Sequence, residues 1–226
     1  MLGWLKGRSL RRRTGQQLYE GIVAQARDPA LYETCGVPDT MDGRLEMVLL
    51  HTVLVLDRLQ AEGAAGQRLG QHLMERLVAG IDDALRRIGL GDDSVAPRIK
   101  RLAGALAERA RDYRAGLRAS LQEDTSPSPF PLTGRDQRWD ERPAPSLAIV
   151  GNTPASRLES AFLEHVFSAD PASPSRQQKI HAQRLVAYAL RARRALDATS
   201  SEDLLAGRLP FPPVIETETG TQETRA

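Results

Sequence analysis

Between Leu45 and Leu59 the chain is apolar on nearly every side of a helix, and this limits what it can fold into more than any other feature. Leu45, Leu49, Thr52, Leu56 and Leu59 recur at steps of four and three, while Val48, Leu50, Val53, Leu54 and Val55 fill the other sides. Such a helix has to be enclosed by other helices or by lipid. Glu46 and His51 interrupt the run, which is well short of the roughly 20 apolar residues that a membrane span requires. Enclosure by protein is the consistent solution, so this segment is expected to be the central helix of a bundle.

The rest of the pattern supplies the enclosing helices. Thr14 and Gln17 have capping-box spacing, and Leu18, Ile22, Val23 and Ala26 share one face. Pro29 ends that helix and opens a short one through Cys35. Gly36-Val37-Pro38-Asp39-Thr40 is a turn into the central helix, with Asp39 or Thr40 as N-cap and Asp39 preferred. After an Ala/Gly turn, Leu69, Leu73, Leu77, Ile81, Leu85 and Ile88 form one stripe, stopped by Gly89 and Gly91. The next helix carries Val95, Ile99, Leu102, Leu106, Ala110, Tyr113, Leu117 and Leu121, with Pro97 expected in its first turn.

From Asp124 to Thr153, five prolines (Pro127, Pro129, Pro131, Pro143, Pro145) are spread among polar residues, which predicts a mobile loop. The strand-like piece Leu147–Val150 is too short to imply a sheet. Helical pattern returns with Leu158, Phe162 and Val166, then with Ala182, Leu185, Ala189, Ala192 and Leu196. A last turn is expected from a Ser201 cap to Gly207. The fold expected is all-α: a single irregular bundle of six or seven helices. Its parts are a basic N-terminal segment (1–13), an N-terminal helical part (14–123), a mobile Pro-rich loop (124–153), C-terminal helices of the same domain (154–207) and a tail (208–226).

Composition narrows function mainly by exclusion. The 226 residues carry 31 basic and 29 acidic side chains, too balanced for a polycation that coats nucleic acid. A single cysteine, Cys35, excludes an intramolecular disulfide and any multi-cysteine metal site. It falls at a helix C-terminal end, just before Gly36, where nothing favours a thiolate, so a small buried residue is expected. The first thirteen residues hold five basic side chains beside Leu2, Trp4, Leu5 and Leu10. A short presequence, an interfacial anchor on anionic lipid and a solvated tail all fit this composition.

The search for catalytic chemistry finds no phosphate loop, no G-x-S-x-G and no H-E-x-x-H. His51, His72, His165 and His181 are scattered, and only His72 has a neighbour on its own helix face, Glu75. Glu46, His51, His72 and the Asp82-Asp83 pair could converge on a metal across two helices. The repeated Glu-x-x-His of bundle di-metal sites is missing, however, and no metal is expected. Asp82-Asp83 is similar to the aspartate pairs of helical prenyl-transferring enzymes, but Arg86 and Arg87 stand where a further acid belongs. A solvated patch paired with those arginines is the expectation. Seven basic residues lie between Arg98 and Arg118, among them Arg109 and Arg111. Much of that charge is expected to point outward, either as an ordinary solvated face or as a docking surface for RNA, acidic protein or anionic lipid.

Taken together, several motifs carry a family resemblance. They begin with Tyr19, Ile22-Val23, Gln25-Ala26-Arg27 and Tyr32 and continue through Gly36-Val37-Pro38-Asp39-Thr40, Gly43-Arg44, Glu46-Met47 and Leu50-His51. Further on come Asp82, Leu85-Arg86, Gly89, Gly91-Asp92, Val95, Lys100 and Tyr113. With these residues the chain resembles the ubiquinol–cytochrome c chaperones, assembly factors of the cytochrome bc1 complex, over roughly residues 19 to 117. Leu185, Tyr188, Gly207 and Phe211 extend the likeness loosely. The chain departs from the family where Glu108-Arg109 stands in place of Gly-Arg and in the 124–153 loop, which resembles an insertion.

The resemblance implies an all-helical chaperone without enzymatic activity or cofactor that binds nascent or unassembled cytochrome b. In mitochondrial members it works near the ribosome exit with a small partner subunit. A bacterial cytoplasmic protein is implied here, peripheral on the inner face of the membrane. Peripheral contact with anionic membrane would come from the N-terminal basic segment. Arg44, Glu46, Arg109 and Arg111 are the candidate partner-binding residues, and Gly36, Pro38, Asp39, Gly43 and His51 are the structural ones. His51 is expected to be a core histidine and not a haem ligand. A helical RNA- or ribosome-binding adaptor unrelated to respiration is the alternative reading.

Overall fold

The structure, a computed structural model, describes residues 2–87, 92–123 and 154–215, the side chains of 2–11, 92–103, 105, 121–123 and 154–156 excepted. The described residues hold eight helices and no strand: α1 (Leu2–Gln25), α2 (Pro29–Glu33), α3 (Met41–Gln60), α4 (Gly63–Arg87), α5 (Asp92–Glu123), α6 (Pro154–His165), α7 (Arg176–Asp197) and α8 (Ser201–Leu205). The all-α expectation holds, with one or two helices more than the sequence pattern predicts because α2 and α8 are single short turns. The expected 124–153 loop, its Leu147–Val150 piece and the tail beyond Ile215 lie outside the described residues.

The apolar segment is the centre of the fold. Thirteen of the twenty residues of α3 are buried, and α1, α4, α5 and α7 all pack against it. α5 and α6 pack most extensively, α6 lies on α7, and α1 runs along α4. The inner stripes meet in one core, with Leu18 and Ile22 of α1, Leu73 of α4, Tyr113 and Leu117 of α5, Phe162 of α6 and Leu185 of α7 fully enclosed. Cys35 is buried, as expected, and burial raises its thiol pKa.

Several local expectations are corrected. Thr14 does not cap a helix: α1 is continuous from Leu2, so Thr14 is an interior residue 5% exposed, and the basic segment forms the first turns of α1. The N-cap of α3 is Thr40 and not Asp39. Thr40 has extended backbone and its hydroxyl accepts from Gly43 N at 3.1 Å, the three-residue reach that a cap requires. Asp39, one residue too early, instead pairs with Arg44 at 2.6 Å.

The Ala/Gly stretch is already helix, since Gly63 takes the turn at φ 57° and opens α4. Pro97 is the sixth residue of α5, not in its first turn, because the helix starts at Asp92. Ser200 caps α8, accepting from Asp203 N at 3.1 Å, while Ser201 donates to Glu62 at 3.0 Å. The beginning of the expected tail is packed: Leu209 and Phe211 lie on the core, and Arg191 donates to the Val214 carbonyl at 2.7 Å.

Candidate functional site

The stripe on α4 runs further than the core that covers it. Leu69, Leu73 and Leu77 are buried, but Ile81 and Leu85, next on the same face, are only half-buried. They face Tyr19 and Val23 of α1 and Leu45 and Val48 of α3 across a groove of about 760 Å³. Met41, at the start of α3, stands at the groove 55% exposed. Gly80 keeps the α4 wall open, because a Cβ there would collide with the Tyr19 hydroxyl.

Four arginines, Arg27, Arg44, Arg76 and Arg87, and two aspartates, Asp42 and Asp83, line the apolar walls. Arg76 Nε is buried without a hydrogen-bond partner, a state that typically costs about 1–3 kcal/mol. Each half-exposed side chain that an occupant covered would contribute on the order of 1 kcal/mol. The groove holds no nucleophile beside a base. Its chemistry suits adhesion to an apolar surface, with cations at hand.

The motif from Gly36 to His51 lies next to this groove but mostly builds the fold. Gly36 has φ 67°, and the His181 ring occupies the space a Cβ would take. Gly43 packs against the Pro38 carbonyl with no room for a side chain. Gly36→Ala is expected to lose about 2 kcal/mol through left-handed strain and displacement of His181. A lower denaturant midpoint at an unchanged slope would register that loss.

Of the candidate partner-binding residues, Arg44 is 60% exposed, lines the groove and depresses the Asp39 carboxyl below its usual range by its hydrogen bond. Glu46 and Arg109, expected to meet a partner, meet each other. Arg109 Nε donates to Glu46 at 2.5 Å and the Tyr113 hydroxyl donates to the same carboxylate at 3.3 Å. Burial raises the Glu46 pKa, and Arg109 opposes that rise without cancelling it. Arg111 is exposed, with its Nε 3.4 Å from the Ala107 carbonyl.

The expectation of an outward basic face on α5 is therefore corrected for Arg109 and Arg114, whereas Arg118 touches Asp57 but keeps its side chain 64% exposed. Arg109 turns to Glu46 and Arg114 to Asp57. The side chains of Arg98, Lys100 and Arg101 lie outside the described residues. Asp82 pairs with Arg86 at 2.9 Å, as expected of a solvated patch. Among the described residues no three metal-ligating side chains come together.

The sequence reading missed the groove itself. The signal that could have found it is the length of the α4 stripe, which continues beyond what α1 can cover, since α1 ends at Gln25.

Comparison with known proteins agrees with this architecture. The crystal structure of the Cbp3 homolog from Brucella abortus is similar with a TM-score of 0.68 and 28% sequence identity, over 95% of this chain and 98% of that one. A comparison with curated proteins returns no match. The family model described as ubiquinol-cytochrome C chaperone matches residues 33–126 and 146–211, which takes in the Gly36–His51 motif and both halves of the bundle. The match covers most of the chain, and the chain belongs to the ubiquinol–cytochrome c chaperone family.

Proposed function

We propose that this chain is a non-enzymatic assembly chaperone of the ubiquinol–cytochrome c reductase (bc1) complex that binds newly synthesised cytochrome b. The observation that carries this reading is the family match across both halves of the bundle. The groove between α1, α3 and α4 supports it. A nascent membrane subunit exposes apolar helices, and a binder that prefers the unassembled form lowers its free concentration by mass action, without fuel.

No described helix is long and apolar enough to cross a membrane. The reading places the protein in the bacterial cytoplasm, in peripheral contact with the inner membrane through the basic first turns of α1. The inward turn of Arg109 and Arg114 leaves less exposed charge for an RNA-binding adaptor.

Deleting the gene is expected to lower assembled bc1 complex and cytochrome b together while the cytochrome b transcript stays unchanged, with recovery when the full chain is supplied. Difference spectra of membranes and native gels measure both quantities. Normal haem b absorbance in the deletion strain would overturn the reading.

A further inference from the structure

We infer that the groove between α1, α3 and α4 takes an apolar helix of the client that bears a carboxylate, and that this carboxylate meets the Arg76 guanidinium. The inference rests on the chaperone reading and adds which face works and what chemistry it selects. Val23, Leu45, Val48 and Ile81 line the groove half-covered, and Met41 stands more than half exposed. A volume of about 760 Å³ accommodates the side chains of one helix face, as in other helix-in-groove complexes. It does not accommodate a folded domain.

Charge selects among apolar helices. Among the described residues, Arg27, Arg76 and Arg87 have no ion-pair partner, whereas Arg44 is held by Asp39. Asp42 and Asp83 leave the groove net positive. A neutral helix would leave the buried Arg76 Nε without an acceptor, and a basic helix would meet like charge. A carboxylate on the occupant satisfies the donor and balances the arginines.

A second copy of this chain is a poor occupant. The exposed large apolar side chains among the described residues are Met41, Val78 and Ile215, which offer no continuous stripe to insert into a neighbour's groove. Nucleic acid is also a poor fit, because Tyr19 is the single aromatic side chain in the groove.

The test places a photo-reactive residue at Met41 of the full chain, in cells making the bc1 complex, with a second at exposed Gln183 on α7 as control. Irradiation is expected to join Met41, but not Gln183, to a helical segment of cytochrome b that contains Asp or Glu. Arg76→Glu is expected to cut the adduct yield at least tenfold and Arg76→Lys less than threefold. Arg27→Glu, at an exposed position, gives a second reading if Arg76→Glu does not fold.

The inference is overturned by adducts to a second copy, to this chain's own residues or to RNA. It is equally overturned by a client segment without acids, by yields that ignore both reversals, or by no adduct at Met41. A deletion strain that lacks bc1 complex while Met41 gives no client adduct retains the chaperone reading and removes only the groove. A deletion strain with normal complex removes the reading itself.

Discussion

Replacing Asp57 with alanine is expected to destabilise the protein by about 3 kcal/mol, the range seen when one partner of a buried ionic cluster is removed. The Asp57 side chain is 4% exposed and sits where three helices meet. From α3 it accepts from Arg193 of α7 and from Arg118 of α5, at 3.3 Å for the latter, with Arg114 Nε at 3.5 Å. Taking the carboxylate away leaves Arg193 partly buried with Asp197 as its remaining acid, 2.8 Å away, and takes from Arg114, whose buried Nε already lacks a hydrogen bond, the anion 3.5 Å from it. Truncating the other side is cheaper. The Arg118 side chain is 64% exposed, so Arg118→Ala should change stability by less than about 0.5 kcal/mol. Denaturant unfolding of the two variants tests the asymmetry. Equal losses would mean that Asp57 is not the hub of the cluster.

That hub could not be seen in the sequence, for a physical reason. Asp57-Arg58 ends an apolar run, and nothing local says that its partners lie on α5, 61 positions on at Arg118, and on α7, 136 positions on at Arg193. Arg58 donates to the Leu196 and Thr199 carbonyls at 3.1 Å each and so satisfies the C-terminal end of α7. Glu46 and Arg109 are similar: charge shows that each needs a partner, but not that they find one another across 63 positions.

Features set by local chemistry were legible. The helix apolar on all sides had to be central. Gly36 had to allow a turn. A cysteine at a helix C-terminal end had no reason to be reactive. The groove falls between these two classes. Its apolar residues were visible as the continuation of the α4 stripe through Ile81 and Leu85, and periodicity marks a face as apolar without saying how far the neighbouring helix covers it. The first turns of α1 were misjudged because Thr14 offered a good cap, and tertiary packing against α4 overrode it.

His51 makes the fold sensitive to acid. It is fully buried on α3, its Nδ1–H donates to the Met47 carbonyl at 2.6 Å, and its Nε2 accepts from the Tyr188 hydroxyl at 2.6 Å. The Phe211 ring closes the third side edge-on, 5.0 Å between centroids. Burial lowers its pKa from 6.5 to about 4, outweighing the Met47 carbonyl and the Asp28 charge, which favour a positive imidazole. The unfolded chain therefore binds a proton between those values that the folded chain refuses. The sign is fixed: the contribution of neutral His51 is complete above about pH 6.5 and is lost as the pH falls toward 4, reaching about 3 kcal/mol at the lower end. Wild-type stability should fall more steeply over that window than that of His51→Gln, by about one proton in the slope. The variant itself will be weaker at neutral pH, because its amide fits the Met47 and Tyr188 partners less well. Comparing the two slopes cancels the other histidines and the carboxylates, which both proteins share. An imidazole resonance of His51 that titrates near its ordinary value in the folded protein would show that the site admits charge, and the acid sensitivity would have to come from elsewhere.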